Sequence, residues 1–308
     1  MYIKEFTALA AEEILAYLRE EGEDDVTVQS TELMKMNDQA LYGLTFQRGD
    51  EPAPTYYLNE MYSAYFHGVD LEKMLRDLVR AYRDTMTEGP MPTEIPDLEY
   101  GKIKERAGVR LLGMDYNRHF LKTVPYREVG NGYALVCEVH IGASDGGLFS
   151  TIVTNDMAEE YHYNMKELFD IALENEWQTN PASFSPLGEL LGAEDEPKNN
   201  DEKEACYVLT TKRQKYGAAA LFYPGTQEMI ARVLEEDYLA LPSSLHEFLI
   251  LRESEVKDLE TLRRMVLEAN RVVVSPEDVL SDSLLYFSIS TGELSQVLPE
   301  EVYADFAG

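Results

Sequence analysis

Two apolar runs, Tyr238–Leu241 and Glu247–Leu251, are separated only by Pro242, Ser243, Ser244, Leu245 and His246. Each run has the length and residue types of a β-strand. A parallel crossover needs about a dozen residues or more, so a link this short leaves the two runs one way to pair, antiparallel. The chain is thereby committed to an antiparallel sheet, and the rest of the sequence says what covers it.

Helical stripes supply the cover. Phe6, Leu9, Ala10, Ile14, Tyr17 and Leu18 fall on one helical face before Gly22, and Asp70 caps a second helix striped by Leu71, Met74, Leu75, Leu78, Tyr82 and Met86. Between them Val26 and Val28, then Tyr42, Leu44 and Phe46, alternate with polar or small residues as half-buried strands do. Thr55–Leu58 is a third strand after the Pro52/Pro54 loop.

Further on the pattern predicts a strand near Val109–Gly113 and a short helix near Tyr116–Lys122. In the strand Tyr133–Ile141, Tyr133, Leu135, Cys137, Val139 and Ile141 share a face, and a turn at Asp145-Gly146-Gly147 returns the chain. Asn164 and Glu167 form a capping box for a helix with Leu168, Phe169, Ala172 and Leu173 inward. Strands follow at Cys206–Thr211 and Ala218–Tyr223, a helix at Thr226–Glu236, and a helix at Val256–Asn270 with Leu259, Leu262, Met265 and Val266 inward. Ser275-Pro276 starts a short helix, and Leu284–Ile289 is the last strand. The expected class is α+β, with antiparallel sheets covered by helices in two or three units. The expected boundaries are an N-terminal unit over 1–95, a middle unit over 96–192, an acidic linker over 193–204 and a C-terminal α/β unit over 205–308.

Charge excludes several functions. With 27 Lys and Arg against 57 Asp and Glu the net charge is −30, and every third of the chain is net negative. Nucleic-acid binding needs basic side chains to neutralise phosphates, so no nucleic-acid partner is expected. Anionic membrane surfaces are disfavoured for the same reason, and no apolar run approaches the roughly 18 residues of a membrane-spanning helix. The N-terminus lacks the basic and apolar segments of a signal peptide. Two cysteines, Cys137 and Cys206, in a chain of 308 residues fit a reducing compartment, so the expected location is cytoplasmic. A protein partner is the expected kind of partner, with oligomeric state open.

Reactive residues crowd in one place, the loop with Ser243, Ser244, His246 and Glu247. A zinc-protease helix would need a second histidine where Ile250 stands. The other histidines and the two cysteines are scattered singly, so no metal and no cofactor are expected. The serines lie too near His246 in sequence for the usual nucleophile and base, which come from different elements. The plainer reading is a turn shaped by Pro242 and the hydroxyls. Cys137 on an apolar strand face reads as inert. The basic strip Lys102–Arg127 and the cluster near Lys212 either pair internally, the plainer reading, or line an anion site. The candidates for that site are Arg110, Arg118, Arg127, Lys212 and Arg213. A non-catalytic binding or protein-interaction role is the main expectation. The alternative is a hydrolase-like enzyme using His246 with Glu247 or with Ser243 or Ser244.

Four spaced motifs carry a family resemblance: Asn117, Leu121, Pro125 and Arg127; Ile152, Thr154 and Asn155; Tyr216–Ala219; and Leu241–Glu247. They resemble an uncharacterised family, a domain of unknown function, from anaerobic Gram-positive bacteria. The chain departs from its pattern at Tyr161-His162, where a tryptophan is usual, and matches an Asn-Thr-Pro motif only loosely at Thr179-Asn180-Pro181. The resemblance implies kinship over most of the chain and transfers no catalytic residue.

Overall fold

The computed structural model describes residues 1–49, 54–88, 97–144, 147–190, 192 and 205–297. The protein is α+β, and its strand pairs are antiparallel throughout the described residues. Two compact units divide it: Met1–Lys35 with Gln39–Pro96, and Met36–Asp38 with Asp97–Gly308.

The first unit contains α1 (Ile3–Glu20), β1 (Val26–Lys35), β2 (Gln39–Arg48), β3 (Thr55–Tyr57), α2 (Asn59–Phe66) and α3 (Leu71–Glu88). Phe6, Ala10, Ile14 and Leu18 repeat every four residues, which keeps them on one face of α1, and all four are buried. They meet Val26, Val28, Leu44 and Phe46 of the sheet and Leu75, Leu78, Val79 and Tyr82 of α3. Phe46 and Tyr82 stack with ring centroids 4.7 Å apart. The short helix α2 has no counterpart among the expected elements.

The second unit holds α4 (Tyr100–Ile103), β4 (Ala107–Gly113), β5 (Tyr126–Val129), β6 (Tyr133–Ser144), β7 (Gly147–Ile152), α5 (Asn155–Glu160) and α6 (Met165–Thr179). It continues with β8 (Ala182–Pro186), α7 (Leu187–Leu190), β9 (Cys206–Thr211), α8 (Thr226–Leu234), β10 (Tyr238–Ser244) and β11 (Glu247–Arg252). The last elements are α9 (Leu259–Val272), β12 (Leu285–Ser288) and β13 (Glu293–Gln296). One sheet is built on the long strand β6, with β4 along one edge and β5 and then β7 along the other. The second sheet runs β13-β12-β10-β11-β9-β8. Because β8 pairs with β9 across the expected linker, the middle and C-terminal segments are one unit rather than two. The Asp145-Gly146 step of the expected turn and the expected linker Ala193–Glu204 lie outside the described residues.

Four local expectations are corrected. Gly217–Phe222 is a buried 3₁₀ turn, not a strand, and packs against β4, β9 and β11. Its run of small side chains lets three strands approach it, and Tyr216, in the left-handed region at φ 53°, turns the chain out of the extended state. Tyr116–Lys122 is not one helix, because Asn117 breaks it into two 3₁₀ turns, Met114–Tyr116 and Phe120–Lys122. Ser275-Pro276 opens a turn without a helix. Met265 on α9 is 58% exposed, since the stripe that packs inward is Leu259, Leu262 and Val266.

Candidate functional site

Strand β6 is buried on both faces from Tyr133 to Val139. Cys137 and Val139 take one face; Glu138 and His140, two residues apart, take the other. The register with β4 puts Gly108 opposite Glu138, and the register with β7 puts Ser150 opposite His140. Helix α6, whose N-cap Asn164 accepts from the Glu167 N–H, packs over β4 and β6 and brings Glu176 to the same place from its last turn.

The result is a buried cluster of two carboxylates and an imidazole. His140 Nε2 lies 3.4 Å from Glu138 Oε1 and 3.5 Å from Glu176 Oε1. The far oxygen of each carboxylate is held elsewhere. Glu138 Oε2 accepts from Arg110 Nε at 2.6 Å and from Ser150 Oγ at 2.6 Å. Glu176 Oε2 accepts from Asn180 Nδ2 at 3.1 Å and from the Tyr223 hydroxyl at 3.5 Å, with Arg213 Nη1 at 3.9 Å. Burial alone would raise the Glu138 carboxyl, but His140, Arg110 and Ser150 together outweigh it and hold the group at about 2. Burial, reinforced by Glu176, pushes the Tyr223 phenol well up.

A cavity of about 230 Å³ opens over this cluster, with Arg213, Lys215 and Tyr216 also in its lining. The Arg110 guanidinium sits 3.9 Å from the Tyr216 ring centroid, a cation–π contact.

The loop bearing Arg213, Lys215 and Tyr216 is fixed by His246. The Tyr216 backbone N–H donates to His246 Nδ1 at 3.0 Å, so in the neutral ring the proton sits on Nε2, 3.4 Å from Asp278 Oδ1. Gly217 follows, where a Cβ would stand 2.2 Å from Thr210 Oγ1 and 2.6 Å from the His246 carbonyl oxygen. Only glycine permits that approach. Thus the Tyr216–Ala219 and Leu241–Glu247 motifs, far apart in sequence, are two sides of one contact.

The hairpin itself is tighter than its sequence suggests. β10 runs through Pro242 to Ser244 by way of a bulge, so the connecting loop is only Leu245-His246. Ser243 Oγ donates to Glu247 Oε1 at 3.1 Å, and Ser244 Oγ accepts from the His246 backbone N–H at 3.1 Å. Neither hydroxyl is hydrogen-bonded to the imidazole. Ser244, His246 and Glu247 border a second depression of about 360 Å³.

Of the expected anion-binding residues, Arg110 and Arg213 line the first cavity. Arg118 pairs with Asp115 at 3.1 Å on the surface. Arg127 pairs with Asp170 at 2.8 Å and donates to the Lys166 carbonyl. Lys212 is exposed and outside the cavity lining. Glu138, His140, Ser150 and Glu176 escaped the sequence reading, which weighed metal sites by cysteine and histidine spacing. The available signal was an acid at 138 inside an otherwise apolar strand, with a histidine two residues on.

Fold and cavity define an α+β protein with a charged, concave site floored by carboxylates and an imidazole. The family of unknown function DUF5688 matches residues 3–288, and the chain belongs to that family. No curated protein and no solved structure matches the chain. Among the described residues no helix is long and apolar enough to cross a membrane.

Proposed function

We propose that the chain is a non-catalytic binding protein that takes a small anion, a carboxylate or phosphate compound, in the cavity of the second unit. The observation that carries this reading is the cationic lining. In a chain with 57 acidic residues, Lys215 has no ion pair among the described residues, and Arg213 meets its carboxylate only at 3.9 Å. Both line a concave site beside Tyr216, in a loop fixed by His246. Basic groups with donors to spare are what a carboxylate or phosphate needs. A cavity of about 230 Å³ suits a compact molecule rather than a polymer. The net charge of −30 argues against nucleic acid as the ligand. A cytoplasmic location belongs to the same proposal and rests on two cysteines that are not bridged to each other.

The test is calorimetric titration with inorganic phosphate and with a small dicarboxylate. Saturable, salt-sensitive binding should weaken roughly tenfold or more in the Arg213→Ala/Lys215→Ala double variant. Absence of binding at millimolar anion would refute the reading. The hydrolase-like alternative has less support, because Ser243 is bonded to Glu247 and not to His246. A protein-partner reading has one feature in its favour. Met265 and Val272, seven residues apart on α9, are 58% and 78% exposed on the same helical side. Concentration-dependent association that Val272→Glu abolishes would support it.

A further inference from the structure

We propose that Glu138, His140 and Glu176 form a binding site for one divalent transition-metal ion, zinc or manganese. The site is the floor of the same cavity, but the proposal does not depend on any anion binding above it.

Geometry is the first support. Glu138, His140 and Glu176 each bring one possible ligand atom within 4.8 Å of the other two, and His140 Nε2 stands 3.4 Å from Glu138 Oε1 and 3.5 Å from Glu176 Oε1. Metal bonds of about 2.1 Å at a tetrahedral angle leave their ends about 3.4 Å apart. The three atoms therefore already stand near the edges of a coordination sphere.

The second support is what holds them there. Each carboxylate gives its far oxygen to partners outside the cluster: Arg110 and Ser150 for Glu138, Asn180 and Tyr223 for Glu176. Among the described residues, the hydrogen-bond and ion-pair partner of both near oxygens is His140. Fixing the far atom so that the near one points to a common centre is how outer-shell groups orient metal ligands.

The third is space. Gly108 lies opposite Glu138, and a Cβ there would come 2.6 Å from Glu176 Oε1 and 3.0 Å from His140 Nε2. A side chain at 108 would crowd the ligand atoms; glycine keeps them clear. With three protein ligands and a cavity above, further coordination positions face open space, the arrangement of a reactive or ligand-exchanging site rather than a closed structural one.

Ligand type sets the class of ion. One imidazole and two carboxylates, with no thiolate, suit a borderline first-row ion. Magnesium and calcium favour all-oxygen shells with more ligands. A doubly charged ion would also neutralise the two carboxylates of the floor, which otherwise oppose an anion. The competing occupant of the same three atoms is a proton on His140, bridging the two carboxylates, and the experiment separates the two.

Tag-free, full-length protein is stripped with a chelator and titrated with Zn²⁺ alone and with Mn²⁺ alone, with no phosphate or carboxylate present. Equilibrium dialysis with elemental analysis gives the stoichiometry. The expected result is one equivalent per chain. His140→Ala and Glu176→Gln should weaken binding roughly 100-fold, and Asn180→Ala, which removes one partner of the far oxygen of Glu176 and also the acceptor of the Arg213 backbone N–H, roughly 10-fold. Uptake well below one equivalent by folded wild-type protein would overturn the proposal and leave the proton as occupant. So would one equivalent bound with unchanged affinity by folded His140→Ala and Glu176→Gln. Should those variants fail to fold, imidazole NMR of the wild type decides. A metal-dependent shift of the His140 ring nitrogens supports the site, and shifts confined to other histidines overturn it. Anion titration of the chelated protein is a separate measurement, so each reading can fail alone.

Discussion

Arg110 is the residue whose removal should be felt most at the site. Its side chain is 12% exposed and that of Glu138 7%, with Arg110 Nη2 and Glu138 Oε2 2.5 Å apart. Arg110→Met keeps an unbranched apolar stem and removes the charged head. Breaking a buried pair from one side leaves an uncompensated carboxylate and costs about 3–5 kcal/mol. Loss of the Tyr216 stack adds about 0.5–1 kcal/mol, so the expected total at pH 7 is on the order of 4 kcal/mol.

The pH dependence follows from the direction of the Glu138 shift. Its carboxyl is held at about 2 against an ordinary 4.5. A depressed carboxyl contributes stability that is fully present above the unfolded value and lost as pH falls through the folded one. That difference is worth on the order of 3 kcal/mol, present above about pH 5 and disappearing toward pH 2. The variant lacks the largest fixed charge that holds the group down, so the gap between the two proteins should narrow steadily over that window. Trp177, the single tryptophan, lies in α6 next to Glu176, so its fluorescence during urea unfolding reports on the second unit. Adding Glu138→Gln to Arg110→Met should recover part of the loss, because no buried charge is then left alone. A cost below about 1 kcal/mol at pH 7, or the same cost at pH 3.5, would refute the account.

Two further outcomes are expected. His246→Ala removes the acceptor of the Tyr216 N–H and should cost about 1–3 kcal/mol while weakening anion binding, because the loop with Arg213 and Lys215 loses one of its anchors and keeps that of Asn180 on the Arg213 N–H; an unchanged melting temperature with unchanged binding would remove His246 from any positioning role. Cys137 is fully buried and burial pushes its thiol well up, whereas Cys206 is half-buried, so a thiol reagent should modify no more than one cysteine in the folded protein and both in urea; rapid native labelling of Cys137 would contradict its burial.

The elements legible in the sequence are those decided locally. The stripe of α1, the alternation of β1 and β2, and the Asn164 cap depend on period and cap chemistry within a few residues. The β10–β11 hairpin was legible because a short link permits only one pairing. What failed was decided by distant partners. Gly217–Phe222 has no period of its own, and it becomes a 3₁₀ turn because Tyr216 is held left-handed by His246 while three strands close on the small side chains. The odd-numbered face of β6 looked like the only buried one. Glu138 and His140 lie on the other, and the groups that meet them there, Arg110, Ser150 and Glu176, come from β4, β7 and α6, which nothing within β6 announces.

That second face explains why the crowded loop drew attention and the strand did not. Serine, proline, histidine and glutamate gather in turns because they satisfy turn backbones, so their crowding in sequence is weak evidence of chemistry. In this protein the Leu241–Glu247 loop anchors the cavity loop: its imidazole fixes Tyr216, and its hydroxyls bond to near neighbours. Glu138 is the opposite case. An acid in the middle of an apolar strand is costly to bury unless paired, so its presence there requires partners that the strand cannot provide. Arg110 comes from one neighbouring strand, Ser150 from the other, and His140 from the same face two residues on. Glu176 arrives only when α6 packs, and no spacing in the sequence ties it to Glu138. A lone charged residue inside an apolar strand was therefore the better pointer to this site, because its burial obliges the fold to bring other charges to it.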